Sequence, residues 1–250
     1  MSFWPVVKYV VKNSDVVLLI MDARMPELSE NAELERIIDY NAKKMVRVFN
    51  KIDLISKENL NDLRKQFPDA YFVAGVKNIG ISELRTGLQI MQSRAKIKDM
   101  KVGIVGYPNV GKSAVINALA RRARARVARH AGTTKGIQFV RVSTFMILDS
   151  PGVVPFEDDE LKLGVLGAKN PEKLKNPYAA AIELIRTFLE RDRKSLEQNY
   201  NIKIPEGMDA DFVLEMIARK KGFLRKGGLI DEQRAVYTLL RDWQAGKLKI

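Results

Sequence analysis

Two registers of apolar and polar residues alternate along the first two thirds of the chain. Short runs dense in Val, Ile, Leu and Phe end at acidic or glycine-containing turns, and between them lie stretches with apolar residues at helical spacing. The first kind reads as buried strands and the second as amphipathic helices, so the pattern predicts an α/β fold with a parallel-rich sheet. Strands are expected over residues 15–22, 45–50, 71–76, 101–106, 137–143 and 145–149. One helix is expected to open at Ser29 and run toward Lys43, and another to open at Ser56 and run toward Phe67. Ile81, Leu84, Leu88, Met91 and Ala95 mark the core-facing stripe of a third.

The last third changes character and offers no convincing strand. Pro177 suits the first turn of a long helix reaching about Gln198, with Leu184, Ile185, Phe188 and Leu189 on its apolar face. Asp209 is read as the cap of a second helix that stops at Gly222, and Asp231 as the cap of a third that stops at Gly246. The expected division is a nucleotide-binding domain over 1–160 and a small all-helical domain over 161–250.

The chain has no cysteine, which excludes disulfides and thiolate metal sites and fits a reducing compartment. Its longest apolar run, between Asp15 and Asp22, is far shorter than the roughly 20 residues of a membrane span. The amino terminus lacks the features of a secretory signal, so cytoplasmic residence is expected. A formal net charge of +13 makes a polyanionic partner such as RNA a natural suspect.

Four short patterns carry candidate chemistry. Gly106-Tyr107-Pro108-Asn109-Val110-Gly111-Lys112-Ser113 follows an expected strand and opens an expected helix, the context of a phosphate-binding loop. There the backbone from Asn109 and Val110 through Gly111, Lys112, Ser113 and Ala114 would wrap the phosphates, Lys112 would pair with their oxygens and Ser113 would ligate Mg²⁺. Asp149-Ser150-Pro151-Gly152 lies 37 residues after Lys112. Asp149 would reach the Mg²⁺ coordination sphere, and Gly152 would offer its N–H to a γ-phosphate. Thr133 and Thr134 lie between, and Thr134 is read as a second Mg²⁺ ligand that senses the γ-phosphate. Asn50-Lys51-Ile52-Asp53 decides the base: a carboxylate at Asp53 can accept from N1–H and the exocyclic amine of guanine, whereas adenine offers neither donor and would leave it unpaired. Asn50 would reach N7 and brace the phosphate loop, and the Lys51 stem would cover the base. Gly75-Val76-Lys77-Asn78 stands where such sites carry a Ser-Ala-Lys loop touching guanine O6, although a plain turn accounts for it nearly as well.

Together these patterns predict a Ras-like P-loop GTPase fold whose order is circularly permuted, because Asn50 precedes Gly106. Close domain termini make such rearrangement tolerable, and the site loops still leave the carboxyl ends of parallel strands. The segment after Gly152 then leads into the helical domain, so GTP binding is expected to reposition that domain. With Asp22-Ala23-Arg24-Met25-Pro26, Gly222-Phe223-Leu224, Gly227-Gly228 and Leu240-Arg241-Asp242-Trp243, the chain resembles the circularly permuted GTPases of YlqF type that assist ribosome assembly. The resemblance covers nearly the whole chain. It implies GTP hydrolysis with Mg²⁺, a large-subunit precursor as partner, rRNA binding through the carboxyl-terminal helices, and a K⁺ ion held partly by Asn109. Lys112, Thr134, Gly152 and Asn109 are thus the expected catalytic set, in a protein that is a monomer off the ribosome. The chain departs from the relatives in two ways. Val153 stands where Ras-like enzymes keep a water-orienting Gln, so slow intrinsic turnover is expected. No histidine precedes position 130, which removes an amino-terminal catalytic His; His130 itself is read chiefly as a loop side chain.

Two basic clusters could meet RNA. Arg121, Arg122, Arg124, Arg126 and Arg129 fall between the phosphate-loop helix and the threonine loop, where bound phosphates would couple to Thr134. Arg219, Lys220, Lys221, Arg225 and Lys226 surround Phe223, which is read first as a contact between helices and second as a platform for a base. An RNA-binding module with nucleotide-gated affinity and incidental hydrolysis is the alternative; a small-molecule kinase is disfavoured by the guanine-reading pattern.

Overall fold

The computed structural model describes residues 3–121, 138–142, 144–155 and 158–250. The chain divides into two compact units, Met1–Pro155 and Phe156–Ile250. The strands of the first are β1 (Val16–Asp22), β2 (Lys44–Asn50), β3 (Tyr71–Phe72), β4 (Met100–Val105), β5 (Gln138–Val142) and β6 (Phe145–Asp149). They form one six-stranded sheet in the order β3-β2-β1-β4-β6-β5, parallel throughout except for the β5–β6 hairpin. All seven residues of β1 are buried, as a strand inside a parallel sheet covered on both faces requires.

The helices of this unit are α1 (Trp4–Lys12), α2 (Pro26–Ser29), α3 (Ala32–Tyr40), α4 (Lys57–Gln66), α5 (Ile81–Ala95) and α6 (Lys112–Arg121). Trp4, Val7, Val10 and Val11 of α1 share a core with Val17, Leu19 and Met21 of β1, Leu34 and Ile38 of α3, and Leu63 of α4. Alternation along β1 turns Val16, Leu18 and Ile20 to the opposite face, where they are also buried. α1 was not among the expected helices, although Pro5 in its first turn and the spacing of Val6, Val7, Val10 and Val11 announce it.

Local chemistry moved several boundaries. Ser29 closes α2 instead of opening a helix: its buried hydroxyl donates to Met25 O at 2.8 Å and accepts from the Asp22 N–H at 3.1 Å. Asn31 caps α3 in its place, its Oδ1 accepting from the Leu34 N–H at 3.0 Å. Ser56 caps α4 as expected. On α5, Ile81, Leu84 and Leu88 are buried, but Met91 is only half-buried and Ala95 is exposed. The strand expected over 71–76 stops at Phe72, because Ala74 and Ile79 exchange backbone hydrogen bonds of 3.0 and 3.2 Å across a turn that ends at Asn78 and Gly80, both with positive φ.

The second unit holds α7 (Glu160–Val165), α8 (Pro177–Arg191), α9 (Arg193–Tyr200), α10 (Ala210–Lys220) and α11 (Glu232–Gln244). The single helix expected from Pro177 to Gln198 breaks at Asp192, whose extended backbone and Oδ1, accepting from the Ser195 N–H at 3.2 Å, start α9 afresh. Asp231 caps α11 through the Arg234 N–H, whereas Asp209 precedes α10 without a side-chain cap bond. Gly222 and Gly246 follow α10 and α11 with positive φ, the conformation that ends a helix at least cost in glycine. α8 lies against α10 and α11, and Leu184, Ile185 and Phe188 of α8, Val213 and Ile217 of α10, and Leu239 and Trp243 of α11 are all buried. The Trp243 indole meets Phe188 edge-on at 5.6 Å and donates to Val165 O at 2.7 Å, which ties the end of α7 to α11.

Candidate nucleotide site

The loop between β4 and α6 starts from two residues that need glycine. At Gly106 (φ 145°) a Cβ would lie 2.4 Å from Ile20 O, and at Gly111 (φ 96°) it would lie 2.1 Å from the Asn50 Nδ2. The loop therefore curls tightly between β1 and the Asn50 side chain before Lys112 opens α6. Lys112 is buried, and its Nζ donates to Tyr107 O at 2.8 Å and Gly106 O at 3.2 Å, carbonyls of its own loop. Burial lowers its pKa to about 8, against the pull of the Asp149 carboxylate. Asn109 has a positive φ of 62°, which Asn tolerates better than most side-chain-bearing residues.

Asp149 ends β6. Its Oδ1 is buried without a hydrogen-bond partner among the described residues. Burial raises the Asp149 pKa, while Lys112 and the Ser150 backbone lower it. A buried carboxylate oxygen without a hydrogen-bond donor is costly, on the order of 1–3 kcal/mol or more, and is suited to ligate a cation. Asp149 at the end of β6 and Ser113 in the first turn of α6 would offer a divalent ion oxygen ligands only. This donor set, all oxygen with few protein ligands, suits Mg²⁺.

Past Asp149 the chain is pinned to the phosphate loop. Ser150 Oγ donates to Ile104 O at 2.7 Å, and the Val153 N–H donates to Gly106 O at 3.4 Å. A Cβ at Gly152 would lie 2.6 Å from the Pro108 backbone and 2.9 Å from Lys112 Nζ. Gly152→Ala should therefore push the phosphate loop off its position; the expected result is at least tenfold weaker binding of the triphosphate than of the diphosphate relative to wild type, by calorimetric titration of both, an effect of about 1.4 kcal/mol. An unchanged ratio would show that the loop yields freely.

Asn50, at the end of β2, joins the remaining loops. Its Nδ2 donates to Val110 O at 2.9 Å and its Oδ1 accepts from the Gly75 N–H at 3.0 Å, so one buried amide braces the phosphate loop and the 75–78 turn at once. Gly75 stands where comparable sites carry Ser because a Cβ there would lie 2.8 Å from the Ala114 and Val115 backbone: the turn rests on the first turn of α6. Val76 beside it is exposed. Asp53 lies in a 3-10 turn, Ile52–Leu54, with its carboxylate 3.2 Å from the Lys77 ammonium. Lys51 keeps its stem half-buried and sends its Nζ to Asp22 Oδ2 at 2.7 Å. The loops that follow β1, β2, β4 and β6 thus gather at one edge of the sheet, the carboxyl end where open α/β sheets hold ligands.

The basic clusters are less uniform. Arg122, Arg124, Arg126, Arg129, His130, Thr133 and Thr134 lie outside the described residues. Arg121 is exposed at the end of α6, and Lys220 and Lys226 are exposed in the helical unit. Arg219 pairs with Glu215 at 2.6 Å, Arg225 with Asp231 at 3.2 Å, and Lys221 lies 5.4 Å from the Tyr200 ring centre. Phe223 is buried with the Arg234 guanidinium 4.4 Å from its ring centre, which leaves no open face for a base and favours the packing role.

Comparison with known proteins places this arrangement. The family model described as RsgA GTPase matches residues 4–158, more than half of the chain. The chain belongs to the RsgA family of circularly permuted GTPases. A second model, described as 50S ribosome-binding GTPase, matches residues 101–220. An uncharacterized GTP-binding protein of Methanocaldococcus jannaschii is 36% identical over 97% of the chain and 65% of its own length. The nuclear GTP-binding protein NUG1 of Saccharomyces cerevisiae is 32% identical over 96% of the chain and 54% of its own length. The chain spans about half to two thirds of the length of the curated relatives it matches. GNP-bound YlqF from T. maritima has the same fold, with a TM-score of 0.61 over 98% of this chain and 94% of that one at 22% identity. Among the described residues, no helix is long and apolar enough to cross a membrane.

Proposed function

We propose that the protein binds GTP, hydrolyses it to GDP and phosphate, and acts as a nucleotide-switched assembly factor for the large ribosomal subunit, with rRNA as the polyanion its basic residues meet. The observation that carries the nucleotide part is the Asn50 amide, which holds the phosphate loop at Val110 and the base-side turn at Gly75 in one grip. Asn50 thereby ties two loops, 25 and 60 residues further along the chain, that would hold the two ends of a nucleoside phosphate. Asp53 would read N1–H and the exocyclic amine once guanine displaces Lys77, the Lys51 stem would cover the base, and the Gly75–Lys77 turn would face O6. Lys112 would leave its two carbonyls for the phosphate oxygens, which accept more strongly. Asp149 and Ser113, with Thr134, would hold Mg²⁺; when bound, it neutralises charge on the phosphate oxygens.

Val153 is buried and apolar, so it cannot orient the attacking water, and turnover by the protein alone would be slow. K⁺ near Asn109 and contact with a ribosomal precursor are the proposed supplements. The 50S ribosome-binding model and the nuclear and nucleolar GTP-binding relatives support the ribosomal part of the reading. A monomer in the cytoplasm, meeting its partner there, is the simplest accompanying state. The test is GTP turnover with separated ribosomal subunits absent and present, in K⁺ and in Na⁺. Stimulation of at least tenfold by large subunits supports the proposal; a flat rate alongside nucleotide-dependent cosedimentation would replace it with a passive, nucleotide-gated RNA binder.

A further inference from the structure

The motif Asp22-Ala23-Arg24 has no role in the scheme above, yet its side chains are the most deeply buried charges near the site. Asp22 and Arg24 are each 1% exposed. Asp22 Oδ1 accepts from the Arg24 N–H at 3.1 Å and from its Nε at 3.0 Å, and Oδ2 accepts from the same guanidinium at 2.8 Å. Arg24 alone therefore neutralises Asp22. Oδ2 nevertheless takes a second cation, the Lys51 ammonium at 2.7 Å. A stability role for the Asp22–Arg24 pair does not require this second cation on Oδ2, and desolvating its ammonium is costly.

The arrangement makes sense from the side of Lys51. This residue carries a positive φ of 69°, strained for a side-chain-bearing residue, and it immediately precedes the turn that presents Asp53. Burial lowers its pKa; Asp22 and, further down the order, Asp53 pull it back up, while Arg24 lowers it. Lys51 is thus drawn by two carboxylates, strongly by Asp22 and more weakly by Asp53. Of the two, Asp22 is the carboxylate in hydrogen-bond contact with Lys51, at 2.7 Å, and so fixes which way it turns. An ammonium released from Asp22 has Asp53 as its other attractor, and a carboxylate already paired with a buried cation accepts less strongly from guanine.

We propose that Asp22, with Arg24 locked behind it, is a positioning residue that keeps the Lys51 ammonium off Asp53 and thereby preserves the discrimination of guanine by its exocyclic amine. The inference rests on the reading of Asp53 as the guanine acceptor. It is tested on the full chain with GDP and IDP, which share every phosphate and differ only in that amine, so that contributions from the rest of the site cancel in the ratio of their affinities. Asp22→Asn is expected to reduce the preference for GDP over IDP about tenfold, the size of one charge-assisted hydrogen bond. In a Lys51→Met background, Asp22→Asn is expected to leave that ratio where it finds it, because no ammonium remains to be released. Should Asp22→Asn be too unstable alone, the ratio is read by IDP competing against bound GDP, which holds the variant folded by mass action. A ratio within twofold of wild type for Asp22→Asn, or an equal loss with and without the Lys51 ammonium, overturns the proposal. A wild-type protein that itself fails to prefer GDP to IDP would instead overturn the reading of Asp53.

Discussion

Asp53→Asn should weaken GTP binding about 100-fold or more and invert the preference between GTP and XTP. The carboxylate offers two acceptors to the two donors on guanine, and hydrogen bonds to a charged group contribute about 1.5–3 kcal/mol each. The amide of Asn replaces one acceptor with a donor, which faces a guanine donor but matches the carbonyl that xanthine carries at the same carbon. Folding should hardly change. Among the described residues Asp53 is ion-paired with the Lys77 ammonium, whose side chain is 53% exposed, and a pair so open to water contributes no more than about 1 kcal/mol. Equilibrium titration with GTP, XTP and ATP, together with urea denaturation, checks both halves. Retained GTP affinity within threefold would remove Asp53 from the base site.

Asn50→Ala should act in the opposite way, costing about 2–4 kcal/mol of stability and weakening GTP and XTP alike. The substitution leaves the Gly75 N–H and Val110 O without the partner each now has, and a buried unpaired polar group costs about 1–3 kcal/mol. It also opens space against Gly111, whose Cα packs on the Asn50 amide. Asn50→Asp keeps the acceptor for Gly75 but presents a second acceptor to Val110 O, so its cost should exceed half that of Asn50→Ala. Denaturant unfolding with and without GDP measures these values. A variant as stable as wild type would mean that the two loops are held elsewhere.

The two expectations separate because reading a base and bracing loops are different tasks given to neighbours in one motif. The sequence alone allowed much of this. Gly106 to Ser113 after an apolar run is a strong pattern because its glycines answer a steric need, and the contacts at Ile20 O and the Asn50 amide show that need. The bounds of β1 and β6 were legible because acidic residues close fully apolar runs. The break at Asp192 was not, since Asp inside a helical pattern reads equally as a solvent-facing residue or as a new cap. Ser29 lost its capping role to Asn31 for a similar reason: Pro26 nucleated a short turn first, and two good caps stood within three residues. The tie between Asp22 and Lys51 depends on register. Residues 29 apart meet because parallel pairing sets Asp22 opposite Asn50, which no local pattern announces. Gly75 looked like a departure until α6 was seen to press on it.

The strand that leads toward the helical unit is β6, which sits between β4 and β5 and not at a sheet edge. Tension applied to the carboxyl-terminal half therefore enters the sheet along an interior strand bonded on both sides, where detachment requires shearing two ladders together. It also arrives at Gly152 and the Val153 N–H before it reaches either ladder. A mechanical pull on that half, such as a large particle changing shape around it would exert, is delivered first to the atoms expected to face the terminal phosphate.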